Sequence, residues 1–307
     1  MQLGFVGLGK MGSNMVHRLR RDGNHGVVAF DMSEDARHAV EAFGATAAAS
    51  LEELVDHLPP RRAIWIMVPA GEPTESTIRS LLPLLSPGDI IIDGGNSKFT
   101  DSLHHAELCR EHKVSFIDAG TSGGIWGLEV GYCLMVGGDE EAVAYTTPIF
   151  TTLAPPDGFL HVGPVGSGHY VKMIHNGIEY GLLEAYAEGF SLLRNSKKFE
   201  NLDLEAIAHL WNQGSVIRSW LLELAERALE NDPQLASIEG WVNDSGEGRW
   251  TVFEAIDTSV PVPVLALSLM ARFSSRGEDE FGNRMIAALR NEFGGHAMKA
   301  QNGKEGA

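Results

Sequence analysis

Near its start an apolar run, Gln2 to Val6, stops at Gly7-Leu8-Gly9-Lys10-Met11-Gly12 and gives way to a helical stretch, Ser13 to Arg21. Three glycines at this spacing, between a strand and a helix, restrict what the chain can build. Gly7 permits a tight turn, Gly9 lets the backbone come close to a ligand, and Gly12 lets the helix pack closely on the strand. The free N–H groups at the start of such a helix favour an anion, and a pyrophosphate fits. A second strand follows and ends at Asp31. A carboxylate there accepts hydrogen bonds from ribose hydroxyls and repels a 2′-phosphate, so the pattern predicts NAD in preference to NADP. The residues expected at the cofactor are Gly7, Leu8, Gly9, Lys10, Met11, Gly12 and Asp31. Arg37, one helical turn on, is within reach of the same corner, and Asp31 also reads as a helix-capping residue.

Further apolar runs at 63–68, 89–93, 114–118 and 132–136 are separated by helical or loop segments. Strands alternating with helices mean a parallel, doubly wound sheet. After Asp31, Ser33 reads as a helix N-cap, with Glu34 and Asp35 in the first turn. The alternation stops near residue 160. From Ser167 long helical patterns dominate, over 167–194, 201–211, 215–230, 260–274 and 280–293. The expected fold is α/β: a Rossmann-type doubly wound sheet over residues 1–163, then an all-α C-terminal domain over residues 164–307, with Gly163-Pro164 as the hinge. Two domains suit a chain of 307 residues, 44% of them hydrophobic, which is enough for a sizeable core.

The formal net charge of -17 argues against nucleic acid or an anionic membrane as a partner. It leaves room for a small anionic substrate, which needs only a local cluster of cations. Cys109 and Cys133 are the two cysteines; they form no disulfide framework or metal cage and read as reduced thiols of a cytoplasmic protein. The N-terminus lacks the pattern of a signal peptide. No apolar run reaches the roughly 18 residues of a membrane span.

Two turn-like motifs follow strands of the first half: Asp93-Gly94-Gly95-Asn96-Ser97 and Thr121-Ser122-Gly123-Gly124. In open α/β sheets ligands lie at the carboxyl ends of strands. Asn96 can donate and accept hydrogen bonds, and Ser122 with the N–H groups after it could hold a carboxylate. Taken alone, each motif reads equally well as a plain turn. More informative is the stretch from Gly166 to Tyr180, GSGHYVKMIHNGIEY. At about 100° per residue, Lys172, Asn176 and Glu179 share one helix face, while Met173, Ile174, Ile178, Leu182 and Leu183 belong largely to others. A solvated polar face is one explanation. The glycines and apolar neighbours instead suit a helix buried between two domains. A desolvated Lys there has a lowered pKa, which suits a general base. A Glu in a partly apolar cleft stays protonated and can act as an acid.

Together these motifs resemble the 6-phosphogluconate dehydrogenases, within the β-hydroxyacid dehydrogenase superfamily. The resemblance runs from residue 1 to about residue 296 and is most specific in GHYVKMIHNGIEY. Relatives that act on 3-hydroxyisobutyrate share the Lys and the following Asn without the HNGIEY context. The chain is similar to the short bacterial form, with its reduced helical domain. The resemblance implies oxidative decarboxylation of 6-phosphogluconate to ribulose 5-phosphate and carbon dioxide with reduction of NAD, a step of the pentose phosphate pathway. It implies that Lys172 takes the proton of the C3 hydroxyl and that Glu179 later protonates C1. Asn96, Ser122, Gly123, Gly124, His175 and Asn176 match residues that hold the sugar acid, and Tyr180 and Arg272 match phosphate ligands. Val68, Pro69 and Ala70, with Asn96, fall where the family meets the nicotinamide half of the cofactor. Arg290 and His296 resemble a tail motif that closes the site of a partner subunit, which implies a homodimer or homotetramer. No metal is implied.

Two other readings compete. A dehydrogenase for 3-hydroxyisobutyrate or a related acid would have no phosphate to bind, which Tyr180, Arg272, Arg290 and His296 argue against. A cofactor-binding sensor would have no use for a poised base. Each Arg also reads as a surface or helix-terminal cation. One stretch departs from the family pattern: Ser245 and Glu247 stand where the family offers a Lys and a Thr. A carboxylate beside a phosphate is repulsive, so either Arg249 substitutes or the loop is placed differently.

Overall fold

The apolar runs form the centre of one sheet. The computed structural model describes residues 1–277 and 281–294. Its strands are β1 (Gln2–Val6), β2 (Gly26–Phe30), β3 (Thr46–Ala47), β4 (Ala63–Ile66), β5 (Ile90–Asp93), β6 (Ser115–Ser122), β7 (Cys133–Gly138) and β8 (Phe159–Gly163). They pair in the order β3-β2-β1-β4-β5-β6-β7-β8. The pairs among β1 to β6 are parallel. β7 runs antiparallel to β6, and β8 parallel to β7. The sequence reading expected parallel pairing throughout and did not include β3 or β8. The reversal at β7 has a simple cause: only residues 123–132 join it to β6, and a parallel connection needs a crossover of a dozen or more residues.

The first helices are α1 (Lys10–Gly23), α2 (Glu34–Glu41), α3 (Leu51–Asp56), α4 (Glu72–Leu81), α5 (Phe99–Glu111), α6 (Gly127–Val130) and α7 (Glu140–Leu153). Successive strand residues point to opposite faces, and both faces are covered. Leu3, Phe5, Trp65, Ile90 and Ile92 pack in one cluster with Met15, Val16 and Leu19 of α1 and Ile149, Phe150 and Leu153 of α7. Val6, Val28, Ile64, Ile66 and Ile91 pack in another with Leu54 of α3, Ile78 and Leu81 of α4 and Cys109 of α5. Burial on both faces is why these strands read as unbroken apolar runs. Ser33 caps α2, its Oγ accepting from the Ala36 N–H at 3.3 Å.

The helical part consists of α8 (Ser167–Arg194), α9 (Leu204–Asn212), α10 (Trp220–Asn231), α11 (Glu247–Asp257), α12 (Pro263–Ser275) and α13 (Phe281–Gly294). α10 starts later than its apolar pattern, because the Ser219 side chain accepts from the Leu222 N–H and fixes the first turn there. α11 was not anticipated: Gly246 and Gly248 flank its first residue and mark the stretch as a loop. A small core joins Ala208, Leu222 and Leu229 with Tyr186, Phe190, Leu204 and Trp211. The chain divides into two compact units, 1–176 and 177–307, so the first turns of α8 belong with the sheet. Among the described residues no helix is long and apolar enough to cross a membrane.

Those first turns are held by a carboxylate. Asp118 of β6 is fully buried and accepts from the Gly166 N–H at 2.7 Å and the His169 N–H at 2.8 Å. These are donors that a helix start leaves without intrahelical partners, and negative charge there also suits the helix dipole. The His169 ring meets Ser102 Oγ of α5 at 2.7 Å. The approach is too close for side chains. A Cβ on Gly120 would sit 2.5 Å from the Lys172 Cβ, and one on Gly168 would sit 2.5 Å from the Met135 carbonyl oxygen. Asp118→Asn keeps the shape but leaves one N–H facing an amide NH2. We expect it to cost about 2–3 kcal/mol of stability, the scale of a buried unsatisfied donor. Urea unfolding reads this as a lowered midpoint at unchanged slope; an unmoved midpoint would contradict the docking role.

Candidate active site

At the carboxyl end of β1 the chain turns through Gly7, whose N–H donates to the Phe30 carbonyl at 2.9 Å. Gly7 has φ +97°, and a Cβ there would overlap the Met67 carbonyl oxygen. On Gly12 a Cβ would overlap the Gly7 carbonyl oxygen, whereas beside Gly9 there is open space. The motif therefore has two glycines that close a turn and one that leaves room for a ligand. α1 begins at Lys10 with no side-chain cap and no acidic residue in its first turn, so its leading N–H groups are not matched by a local carboxylate. Asp31 accepts from the Leu8 N–H at 2.6 Å and from the Ser33 N–H at 2.8 Å. It fastens the glycine turn to the end of β2, and the capping of α2 falls to Ser33. Each carboxylate oxygen still has a lone pair for a hydroxyl donor. Arg37 does reach this corner, donating to the carbonyls of Asp31 at 2.7 Å and Met32 at 3.3 Å.

These residues fit a dinucleotide. The order of β1 to β6 reverses at β1 and β4, and the crevice beyond such a reversal is where this type of sheet takes its cofactor. Met67 and Val68, which a Cβ on Gly7 would touch, leave β4 at that crevice. Pro69 and Ala70 follow, both exposed, with the Pro69 carbonyl accepting from Thr74 Oγ1 at 2.9 Å.

The next strand end is built on Asp93. Its carboxylate, fully buried, accepts from the Gly95 N–H at 2.9 Å and Ser97 Oγ at 2.7 Å. This holds Asn96 in a left-handed conformation, φ 54°. The Asn96 amide then clasps the end of β6: its Nδ2 donates to the Thr121 carbonyl at 3.0 Å and its Oδ1 accepts from the Thr121 N–H at 2.8 Å. Ser122 Oγ and His175 Nε2 lie 3.4 Å apart, and His175 Nδ1 and Asn176 Oδ1 lie 3.0 Å apart. Lys172 Nζ donates to Asn176 Oδ1, and the Lys172 side chain is buried, with 5% exposure. Asn96, Ser122, His175, Asn176 and Lys172 are thus linked, with Thr121 as the bridge between the two turns. Gly123 and Gly124 follow with φ 128° and 53°.

In the second unit Tyr180 is buried. Its hydroxyl accepts from the Ser245 N–H at 3.2 Å and lies 3.4 Å from Ser245 Oγ. The Arg272 guanidinium stacks 3.4 Å from the Tyr180 ring centroid and donates to the Asn243 carbonyl at 3.1 Å. Ser245 Oγ donates to Glu247 Oε2. Arg249 bonds Asp244 through Nε at 2.8 Å and lies over the Phe273 ring. Arg276 also bonds Asp244, at 2.8 Å. Hydrogen bonding from Arg249, aided by Arg276, holds the Asp244 carboxyl below its usual range. In this stretch Ser245 and the start of α11 adjoin Tyr180, and Arg249 pairs with Asp244. Glu179, half-buried, precedes Tyr180 on α8 and shares a face with Lys172 by helical spacing. His296 and the side chain of Arg290 lie outside the described residues.

The sequence reading missed the supporting roles of Asp93 and Ser97, which it named only as part of a turn motif, and did not single out Asp118. Asp93, Asp118 and Ser97 are buried polar groups that hold turns and a helix start, and the available signal was an acid closing each apolar strand, IIID and FID.

A family profile described as the NAD binding domain of 6-phosphogluconate dehydrogenase matches residues 2–163, and one described as the C-terminal domain of 6-phosphogluconate dehydrogenase matches residues 168–305. A Bacillus subtilis relative is 46% identical over 299 residues, 97% of this chain and 99% of its own. A Haloferax volcanii protein named as an NAD(+)-dependent, decarboxylating 6-phosphogluconate dehydrogenase is 48% identical over 300 residues, 97% of this chain and 98% of its own. Among solved structures, Plasmodium falciparum 6-phosphogluconate dehydrogenase superposes with a TM-score of 0.83 at 26% identity, covering 99% of this chain and 67% of that one. With both halves matched and a near-half-identical relative spanned end to end, this chain belongs to the 6-phosphogluconate dehydrogenase family.

Proposed function

We propose that the chain oxidises and decarboxylates 6-phosphogluconate with NAD, giving ribulose 5-phosphate and carbon dioxide. The observation that carries this reading is the linked set Asn96, Thr121, Ser122, His175, Asn176 and Lys172, a buried amine among hydrogen-bonding groups at the carboxyl ends of β5 and β6. Lys172 takes the proton of the C3 hydroxyl, and Asn176 orients its amine. NAD, when bound, supplies the acceptor for the hydride that leaves C3. The resulting 3-keto acid loses carbon dioxide because the electrons released at C2 flow into the neighbouring carbonyl. Protonated Lys172 donates to that oxygen as charge develops on it, and Glu179 protonates the carbon that becomes C1 of the product. Asn96, Ser122, Gly123, Gly124 and His175 hold the sugar acid, and Tyr180 and Arg272 take its phosphate.

The choice of NAD rests on Asp31, whose oxygens face the turn and the ribose corner. The printed name of the Haloferax volcanii relative supports the same choice. Gly7 to Gly12 hold the pyrophosphate, and Val68, Pro69 and Ala70, with Asn96, border the nicotinamide. We assign cofactor binding to the domain of residues 1–163, which also lends Asn96, Ser122, Gly123 and Gly124 to the substrate, and the rest of substrate binding, with oligomerisation, to 164–307. Exposed apolar side chains support a homodimer or homotetramer, among them Leu192, Leu210, Trp241, Ile256, Val264 and Leu267, because a large apolar surface marks an interface. Arg290 and His296 would then close a partner's site. The cytoplasm is the proposed compartment.

Initial rates with 6-phosphogluconate test the reading: NAD should be preferred to NADP. Preference for NADP would refute the role of Asp31, and turnover only of unphosphorylated β-hydroxyacids would refute the substrate. Lys172→Ala and Glu179→Ala should each lower kcat by roughly 10²-fold or more, the scale of acid–base groups; near-normal turnover removes that residue from the mechanism. Gly9→Ala, with open space for its Cβ, should fold normally yet raise the KM for NAD by about tenfold or more, the loss of about 1.4 kcal/mol. An unchanged KM would show that the pyrophosphate does not pass over Gly9.

A further inference from the structure

We propose that Glu247 makes the phosphate end of this site select the protonated, monoanionic form of the phosphate over the dianion. The inference rests on the proposed substrate and on Tyr180 and Arg272 as its phosphate ligands. Glu247 opens α11 and is buried, with 8% exposure. Its first turn lies directly on Tyr180, since a Cβ on Gly248 would overlap the Tyr180 ring. Ser245 touches both groups, lying against the Tyr180 hydroxyl and donating to Glu247 Oε2. The carboxylate therefore stands in the same small cluster as the cation that stacks on Tyr180.

The charges around it decide which phosphate fits. From α12 comes Arg272, from its C-cap Arg276, from the loop before α11 Asp244, from α11 Arg249 and Glu247, and from α8 Tyr180 with Glu179 before it. Asp244 is matched by Arg249 and Arg276. Among the described residues no cation pairs with Glu247, whose side-chain partner is the Ser245 hydroxyl. Arg249 and Arg276 are engaged by Asp244, and Glu247 sets a negative charge close to Arg272 and Tyr180, so it repels a dianion more than a monoanion. Any contribution from Glu179 has the same sign. A monoanionic phosphate also carries an O–H, and a carboxylate that accepts it makes a strong charge-assisted hydrogen bond. The dianion offers no proton and meets Glu247 as a like charge. A helix-starting Glu that merely holds Ser245 would make no such distinction.

The test uses the full chain. KM for 6-phosphogluconate is measured from about pH 6 to about pH 8, at saturating NAD, for the wild type and Glu247→Gln. Over that range the monoanion falls from about one half to about one hundredth of the phosphate, since its second pKa is about 6. Wild-type KM should rise by about tenfold or more, up to about fiftyfold if the monoanion alone binds. In Glu247→Gln the rise should shrink to below about threefold, because the amide no longer repels the dianion. Inorganic phosphate and sulfate, the latter without a titrating proton, are compared as binders of the wild type by calorimetry at about pH 6. Phosphate should bind about tenfold more tightly. Equal binding of the two, or the same KM rise in both proteins, overturns the proposal. The calorimetric comparison needs no variant and no turnover. If 6-phosphogluconate is not turned over, the proposed function fails, while the phosphate–sulfate comparison still decides the role of Glu247.

Discussion

The junction at Asp118 sets the geometry on which the rest of the site depends. A buried carboxylate in the middle of β6 gathers two N–H groups from the start of α8, and glycines at 120 and 168 let helix and strand approach to backbone contact. Lys172 lies one turn beyond the gathered N–H of His169, over Gly120. Its position is therefore inherited from the sheet. A site built on strands and helix starts is held more tightly than one built on loops. The two turns that complete it are fixed in the same manner, Asp93 holding the turn that presents Asn96 and Asn96 holding the end of β6.

The cofactor end uses a carboxylate differently. Asp31 is bonded to the glycine turn and to the N–H of Ser33, so the side chain proposed to select the cofactor also shapes the turn. Replacing it to change cofactor preference would also loosen the turn. On the proposed reading structural and selective roles are coupled in a single residue, a constraint that any redesign of preference has to meet.

How much of this was legible follows from what each feature needs. The glycine motif, the strand runs and the Lys172–Asn176–Glu179 stripe depend on local spacing, and the residues display it directly. The clasp between Asn96 and Thr121 joins residues far apart in sequence, and nothing local distinguishes Asn96 from an ordinary turn residue. Asp118 was visible only as an acid closing an apolar strand. The antiparallel β7 follows from the length of a connection, which could have been weighed. α11 was hidden by the two glycines around Glu247, and with it the packing of that helix on Tyr180. Ser245 and Glu247 stood out as departures from the family pattern, but which of them meets Tyr180, and whether Arg249 compensates, is a matter of tertiary placement.

The central claim is that oxidation at C3 is coupled to loss of C1. The most direct measurement follows 6-phosphogluconate labelled with ¹³C at C1 by NMR, with NAD and the intact enzyme. The account predicts that the label leaves entirely as carbon dioxide and bicarbonate, in step with reduced cofactor, while unlabelled ribulose 5-phosphate accumulates. Label retained in a phosphorylated keto acid, or reduced cofactor formed without release of label, would contradict it.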